Sequence, residues 1–174
     1  MKNVIGIAVI VVLAAVGYFM TRSSDRAIDY NDKIIGLQSR IVKGMIDFSK
    51  SFENADGAQM EKKHAELVAT IEGVVKEAQT IGPFEDSTQF RDAAIEMFGF
   101  YDSIAKKEYL EIVNILKKEA PAEEDLTRIN EIVNSISTRE EMLDKKFQGI
   151  QRAFAGKHNI QLVDNKMQRQ IDNL

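Results

Sequence analysis

Residues 126–154 read LTRINEIVNSISTREEMLDKKFQGIQRAF. Apolar side chains recur at Leu126, Ile129, Val133, Ile136, Leu143, Phe147, Ile150 and Phe154, in steps of three and four, and Glu140 falls where one more apolar residue would belong. Steps of three and four place such residues along one side of an α-helix. A helix with a single greasy line is marginal alone and needs other helices to cover that line. This stretch therefore predicts an all-α fold and asks where the covering helices lie.

Three more stretches answer. A first helix is expected from about Asp25 to Phe52, with Ile34, Leu37, Ile41, Met45, Phe48 and Phe52 on its inner side. A second runs from about Ala58 to Thr80, with Met60, His64, Leu67, Ile71, Val74 and Ala78, followed by Ile81. Gly82-Pro83 stops it, because proline has no N–H to donate and restricts the residue before it. A third begins at Ser87, read as the N-cap, and extends to about Glu119 through Phe90, Ala94, Met97, Tyr101, Ile104, Ile112 and Ile115. Pro121 opens the fourth helix, where Glu123, Glu124 and Asp125 suit the positive end of the helix dipole. Gly156 is the expected cap at its far end. The connections ENADG, GPFEDS and AP are short, which favours an antiparallel up-down-up-down four-helix bundle.

Upstream, Val4 to Met20 (VIGIAVIVVLAAVGYFM) contains no charged residue. As a helix it would be about 26 Å long, close to the ~30 Å hydrocarbon core of a bilayer. Tyr18 and Phe19 near its end, then Arg22, match the residue types found at a membrane interface. Residues 1–22 are read as a transmembrane signal anchor, with cleavage near Ala14, Ala15 or Gly17 as the competing reading. The bundle then covers 23–156, and 157–174 form a short C-terminal helix or a tail. A very short N-terminus favours an anchor held N-in, with the domain outside the cytoplasm.

Composition narrows the function classes. The chain has 174 residues, a formal net charge of −4 and no cysteine. Disulfides, thiolate metal sites and covalently attached haem are excluded. A mildly acidic domain without a basic run gives no electrostatic reason to bind nucleic acid. No phosphate-binding loop, nucleophile elbow or zinc-protease pair occurs in the sequence. No catalytic residue, cofactor or metal ligand is assigned, and the chain is not expected to be an enzyme.

Three groups of polar or aromatic residues stand out against the stripes. Glu61 and His64 make a Glu-x-x-His, half of a di-metal bundle site, but the other histidine, His158, is preceded at the matching position by Ala155. A hydrogen-bonded histidine near the end of the bundle is the simpler reading. Glu140 lies mid-stripe, and counting helical rise places it near Tyr101 and Asn31 as a candidate polar core layer. Met97, Phe98, Phe100 and Tyr101 crowd around Gly99 and cover more than one narrow stripe. That helix is either buried on two sides or offers a partner face.

The segments YNDKIIGLQSRIV, FRDAAIEMFGFYDSIAKKEYLEIVNIL and FAGKHNIQLV resemble bacterial membrane-anchored or surface four-helix-bundle proteins. The resemblance implies a helical bundle in the cell envelope and supplies no catalytic residues. The expected function is that of an envelope protein tethered by one N-terminal span in the bacterial inner membrane. Its domain would be periplasmic, and its bundle would serve as a protein-binding or scaffolding module. The expected partners are the membrane, another membrane or envelope protein, or a second copy of the chain. A small-molecule sensor is the alternative, with a metal-dependent oxidase behind it.

Overall fold

A computed structural model describes residues 16–19, 25–53 and 56–164. The fold is all-α. Helix α1 spans Asp25–Ser49 and tightens into a 3₁₀ turn at Lys50–Phe52; α2 spans Gly57–Gln79. A third rod is built from α3 (Gln89–Ile104), a π-helical turn (Ala105–Tyr109) and α4 (Leu110–Leu116). The longest helix, α5, covers Glu123–Lys157.

Cross-helix pairs give the directions. Arg40 meets Glu77 while Gly44 faces Leu67, Glu72 meets Lys106 while Glu61 meets Lys117, and Glu96 meets Lys146 while Glu111 meets Arg128. In each pairing one number rises as the other falls, so each rod runs antiparallel to the one before it. The core between them contains Ile41, Met45, Phe48, Ile71, Phe98, Tyr101 and Phe147, all essentially without solvent contact. Burying a side chain of this size contributes about 1.5–3 kcal/mol.

The helix ends show how local sequence sets the boundaries. Asp56 caps α2 by accepting from the Ala58 and Gln59 N–H groups. At the start of α5, the Asp125 carboxylate reaches back to the Ala122 N–H at 3.0 Å. Pro121 thus precedes the helix rather than opening it. Thr88, not Ser87, occupies the N-cap of α3, while the Ser87 hydroxyl accepts from the Gln89 N–H. Gly156 is not a cap either. Helix α5 continues through it and ends in a Schellman motif around Asn159, whose φ of 53° is left-handed. There the Asn159 N–H donates to the Gly156 carbonyl and the Ile160 N–H to the Ala155 carbonyl. Asparagine tolerates this conformation, and Ile160 packs against Ala155 as the motif requires.

Beyond that cap residues 161–164 are extended, and residues 165–174 of the expected C-terminal helix or tail lie outside the described residues. Gln161–Asp164 (β2) pairs antiparallel with Val16–Phe19 (β1). Of the predicted anchor, only residues 16–19 are described. Arg22 and the rest of residues 1–15 and 20–24 lie outside the described residues, as do the side chains of Tyr18 and Phe19. Among the described residues no helix is long and apolar enough to cross a membrane.

Glycines inside the helices separate into two kinds. A Cβ at Gly44 would meet Leu67 Cδ1 at 3.1 Å, so this glycine lets α1 and α2 approach closely. A Cβ at Gly73 or Gly149 would meet nothing within 4 Å. Gly73→Ala is therefore expected to raise stability by about 0.5–1 kcal/mol, through the backbone entropy of the unfolded chain. Gly44→Ala should gain clearly less, because Leu67 must move. Urea midpoints of the two variants check this; an equal gain from both would refute the close-approach account.

Candidate functional site

His64 has a definite structural partner. The π turn at Ala105–Tyr109 interrupts the regular bonding of the third rod, and the Ala105 carbonyl lies 2.7 Å from His64 Nε2. A carbonyl only accepts, so Nε2 carries the proton and donates. The ring also packs near Phe48, whose other aromatic neighbours are Phe52 and Tyr109. Glu61 points elsewhere and pairs with Lys117. The two members of the Glu-x-x-His thus serve different partners. Among the described residues no group of three or more acids and histidines is placed to hold a metal ion.

The anticipated polar layer divides in two. Tyr101 donates to Glu140 at 2.8 Å in the middle of the bundle, where the two residues are 1% and 3% exposed. Burial, then the Glu140 carboxylate, pushes the Tyr101 phenol well above its ordinary range. Asn31 is not part of this pair. Its side-chain oxygen accepts from Gln151 Nε2 at 3.1 Å, joining α1 to α5.

That second contact defines a seam. Seven residues after Asn31 on α1 comes Gln38; seven before Gln151 on α5 comes Asp144. Seven residues rise about 10.5 Å on either helix. With Asn31 bonded to Gln151 on oppositely running helices, Gln38 and Asp144 share a level. Both are buried, at 0% and 5% exposure. Neither amide atom of Gln38 has a protein partner, and the same holds for Asp144 Oδ1 and Gln151 Oε1. Asp144 Oδ2 accepts from Gln148 at 2.6 Å. Desolvation raises the Asp144 pKa to about 6, against smaller opposing effects of Gln148 and Arg152. The seam is a second buried polar feature, beside the Tyr101–Glu140 pair, in a largely apolar core.

Helix α3 is covered on two sides. Met97, Phe98 and Tyr101 are buried, so they form core and not an exposed partner face. Phe100 is half-buried, and the Arg139 guanidinium lies over its ring at 5.0 Å from the centroid. Three residues along α5 from Arg139, on the same side of the helix, Met142 is 63% exposed. Of the anticipated face, Phe100 is what remains partly accessible, and Met142 is an exposed residue outside it.

The opposite end of the bundle, where the chain enters α1 and leaves α5, gathers a second aromatic group. Tyr30 lies 5.1 Å from Phe84 and 5.7 Å from Phe154 between ring centroids, and its hydroxyl donates to the Gly82 carbonyl. His158 packs against Phe84 and Phe154 at 4.9 and 4.6 Å. These rings surround a pocket of about 150 Å³.

Sequence reasoning missed Gln38, Asp144, Gln151 and this pocket. A signal existed for the seam, since Asn31/Gln38 and Asp144/Gln151 are each one heptad apart, but a search for apolar periodicity passes over it. The chain matches no protein-family model, no curated protein and no solved structure.

Asp144 makes a pH prediction. Its carboxyl is easier to protonate in the folded chain than in the unfolded one. Through this one group the folded state binds more protons between about pH 4 and 6, so the contribution of Asp144 to stability falls as pH rises through that window, against the opposite slope of carboxylates held low by their cationic partners, such as Glu111 by Arg128. Asp144→Asn should remove this contribution, so that the variant gains on wild type as pH rises and is the more stable above pH 6, by on the order of 2 kcal/mol. Denaturant titrations of both proteins across that range test it; a variant-minus-wild-type difference that is constant or shrinks from pH 4 to 6 would reverse the assignment.

Proposed function

We propose that the chain is a membrane-tethered envelope protein of the kind its sequence resembles, in which the helical bundle is a non-enzymatic module for binding a protein partner. The observation that carries this reading is the uncharged run Val4–Met20, which ends four residues before α1 begins at Asp25. So short a connection holds the bundle close to the bilayer. The domain would lie on the periplasmic side of a bacterial inner membrane.

The partner would engage the outer side of α3 and α5. Met142 and the partly covered Phe100 provide apolar contact there, and Arg139 provides a charge that can change partner from Glu108. Aromatic residues, methionine and arginine are enriched at protein interfaces. The proposal has one structural cost. A helix through Met20 and the β1–β2 pairing exclude each other at Val16–Phe19, so insertion in a bilayer requires that pairing to be given up.

Two measurements follow. The full chain should stay with membranes after an alkaline carbonate wash, and a chain lacking residues 1–22 should be released with its helical circular dichroism intact. Release of the full chain with its leader still attached would remove the tether. Met142→Asp, at an exposed position, should leave folding unchanged and weaken any co-purifying association at least about tenfold, as loss of a central contact does. An association indifferent to Met142→Asp would place the partner face elsewhere.

A further inference from the structure

We propose that the aromatic pocket at the chain-entry end of the bundle binds a small carboxylate with an apolar, preferably aromatic, body. The pocket lies wholly within the described bundle, so it stands or falls apart from the membrane tether.

Its size sets the first limit. An apolar cavity on the order of 150 Å³ takes up a benzene-sized ligand, and this pocket has about that volume. Tyr30, Phe84, Phe90 and Phe154 contribute most of the apolar wall, contributed by α1, the α2–α3 connection, α3 and α5. The walls are braced. Phe90 lies 5.1 Å from Phe154 and 5.6 Å from Phe147 between centroids, and the Tyr30 hydroxyl is tied to Gly82. A site formed by packed rings from four segments is largely formed before ligand arrives, which lowers the entropic cost of binding.

Charge sets the second limit. Among the lining residues Lys157 is the charged one, and no carboxylate lines the pocket. Ser87, Gln89 and Phe90, at the N-terminal end of the 16-residue α3, line the other side. The Thr88 side chain bonds the Asp92 carboxylate and caps no backbone N–H of the first turn, and that end of a helix attracts negative charge. Two acids lie nearby and are engaged. Asp92 is held by Arg91, and Glu85 meets Lys157 at 3.1 Å. The Lys157–Glu85 pair is exposed at both partners, and such pairs contribute little. The ammonium is therefore free to turn to an incoming carboxylate. A ring between the aromatic walls with its carboxylate toward Lys157 and the start of α3 satisfies both limits, whereas a cationic ligand would face Lys157 unfavourably.

Benzoate and phenylacetate are the probes, benzyl alcohol and benzylamine their neutral and cationic controls. With the full chain in detergent, the two carboxylates should raise the melting temperature saturably and bind by calorimetry with roughly millimolar affinity or better, as suits ligands of this size. Benzyl alcohol should bind at least about tenfold more weakly, and benzylamine not measurably. Lys157→Glu should abolish the preference for carboxylate. Ala153→Trp, at an exposed position on the rim, should block binding with unchanged circular dichroism. No shift with either carboxylate overturns the site. Equal binding of the alcohol overturns the anionic class, and binding that survives Ala153→Trp places the ligand elsewhere.

Discussion

The Asn31–Gln151 hydrogen bond ties the first helix of the bundle to the last, and the interior arrangement depends on it. Helices α1, α2, the third rod and α5 pack in sequence order, each against the next, and closing that row into a bundle requires α1 to meet α5 in one register. A net hydrogen bond contributes only about 1 kcal/mol, but leaving a buried amide without a partner costs about 1–3 kcal/mol. Sliding α5 by one turn would set Asn31 against Phe147 or Ala155 and orphan its side-chain oxygen, while its Nδ2 keeps its bond to Asp32. The same slide would take Tyr30 off Phe154 and open the aromatic cluster. One polar contact thus selects among registers that apolar packing alone would leave close in energy, the role best attested for buried asparagine in helical assemblies.

This logic also explains what could be read in the sequence and what could not. The buried residues of α2 are Met60, Leu67, Ile71, Val74 and Ala78, all on the predicted stripe, because that helix is packed along one apolar side. Helix α5 is different. Its buried line runs Ile129, Ile132, Ile136, Glu140, Asp144, Phe147, Gln151 and Ala155, covering 26 residues in seven steps, about 3.7 per step. The apolar pattern suggests a period nearer 3.5, and so selects Val133, Leu143, Ile150 and Phe154, which the fold leaves only partly buried. Polar residues occupy three of the buried positions, and a rule that looks for apolar spacing rotates the helix away from them. The π turn was not legible, since AKKEY is an ordinary helical sequence; the Ala105 carbonyl at its start is bonded instead by His64, forty-one residues earlier. The Met97–Tyr101 crowding was legible as a choice between two-sided burial and an exposed face, and only the position of α5 decides it.

Each end of the bundle has one histidine within an aromatic group, and the two ends are finished differently. At the α1–α2 turn, His64 is used up: its Nε2 proton goes to Ala105 and its ring lies near Phe48, which packs with Phe52 and Tyr109. At the other end His158 borders a pocket, and the chain there is held by two residues in the left-handed region, Glu85 and Asn159. The open end is where residue 25 begins α1, the end that the proposed tether would place next to lipid. Helix α5 is about 50 Å long, so the closed end would stand that far out from the bilayer. An apolar carboxylate partitions to the boundary between lipid and water, with its body in the apolar layer and its charge outside it. At the end of the bundle that the proposed tether would place next to lipid, a pocket with aromatic walls and a cationic rim would meet such a ligand where it is concentrated, whereas the same pocket at the far end would have to extract it from water.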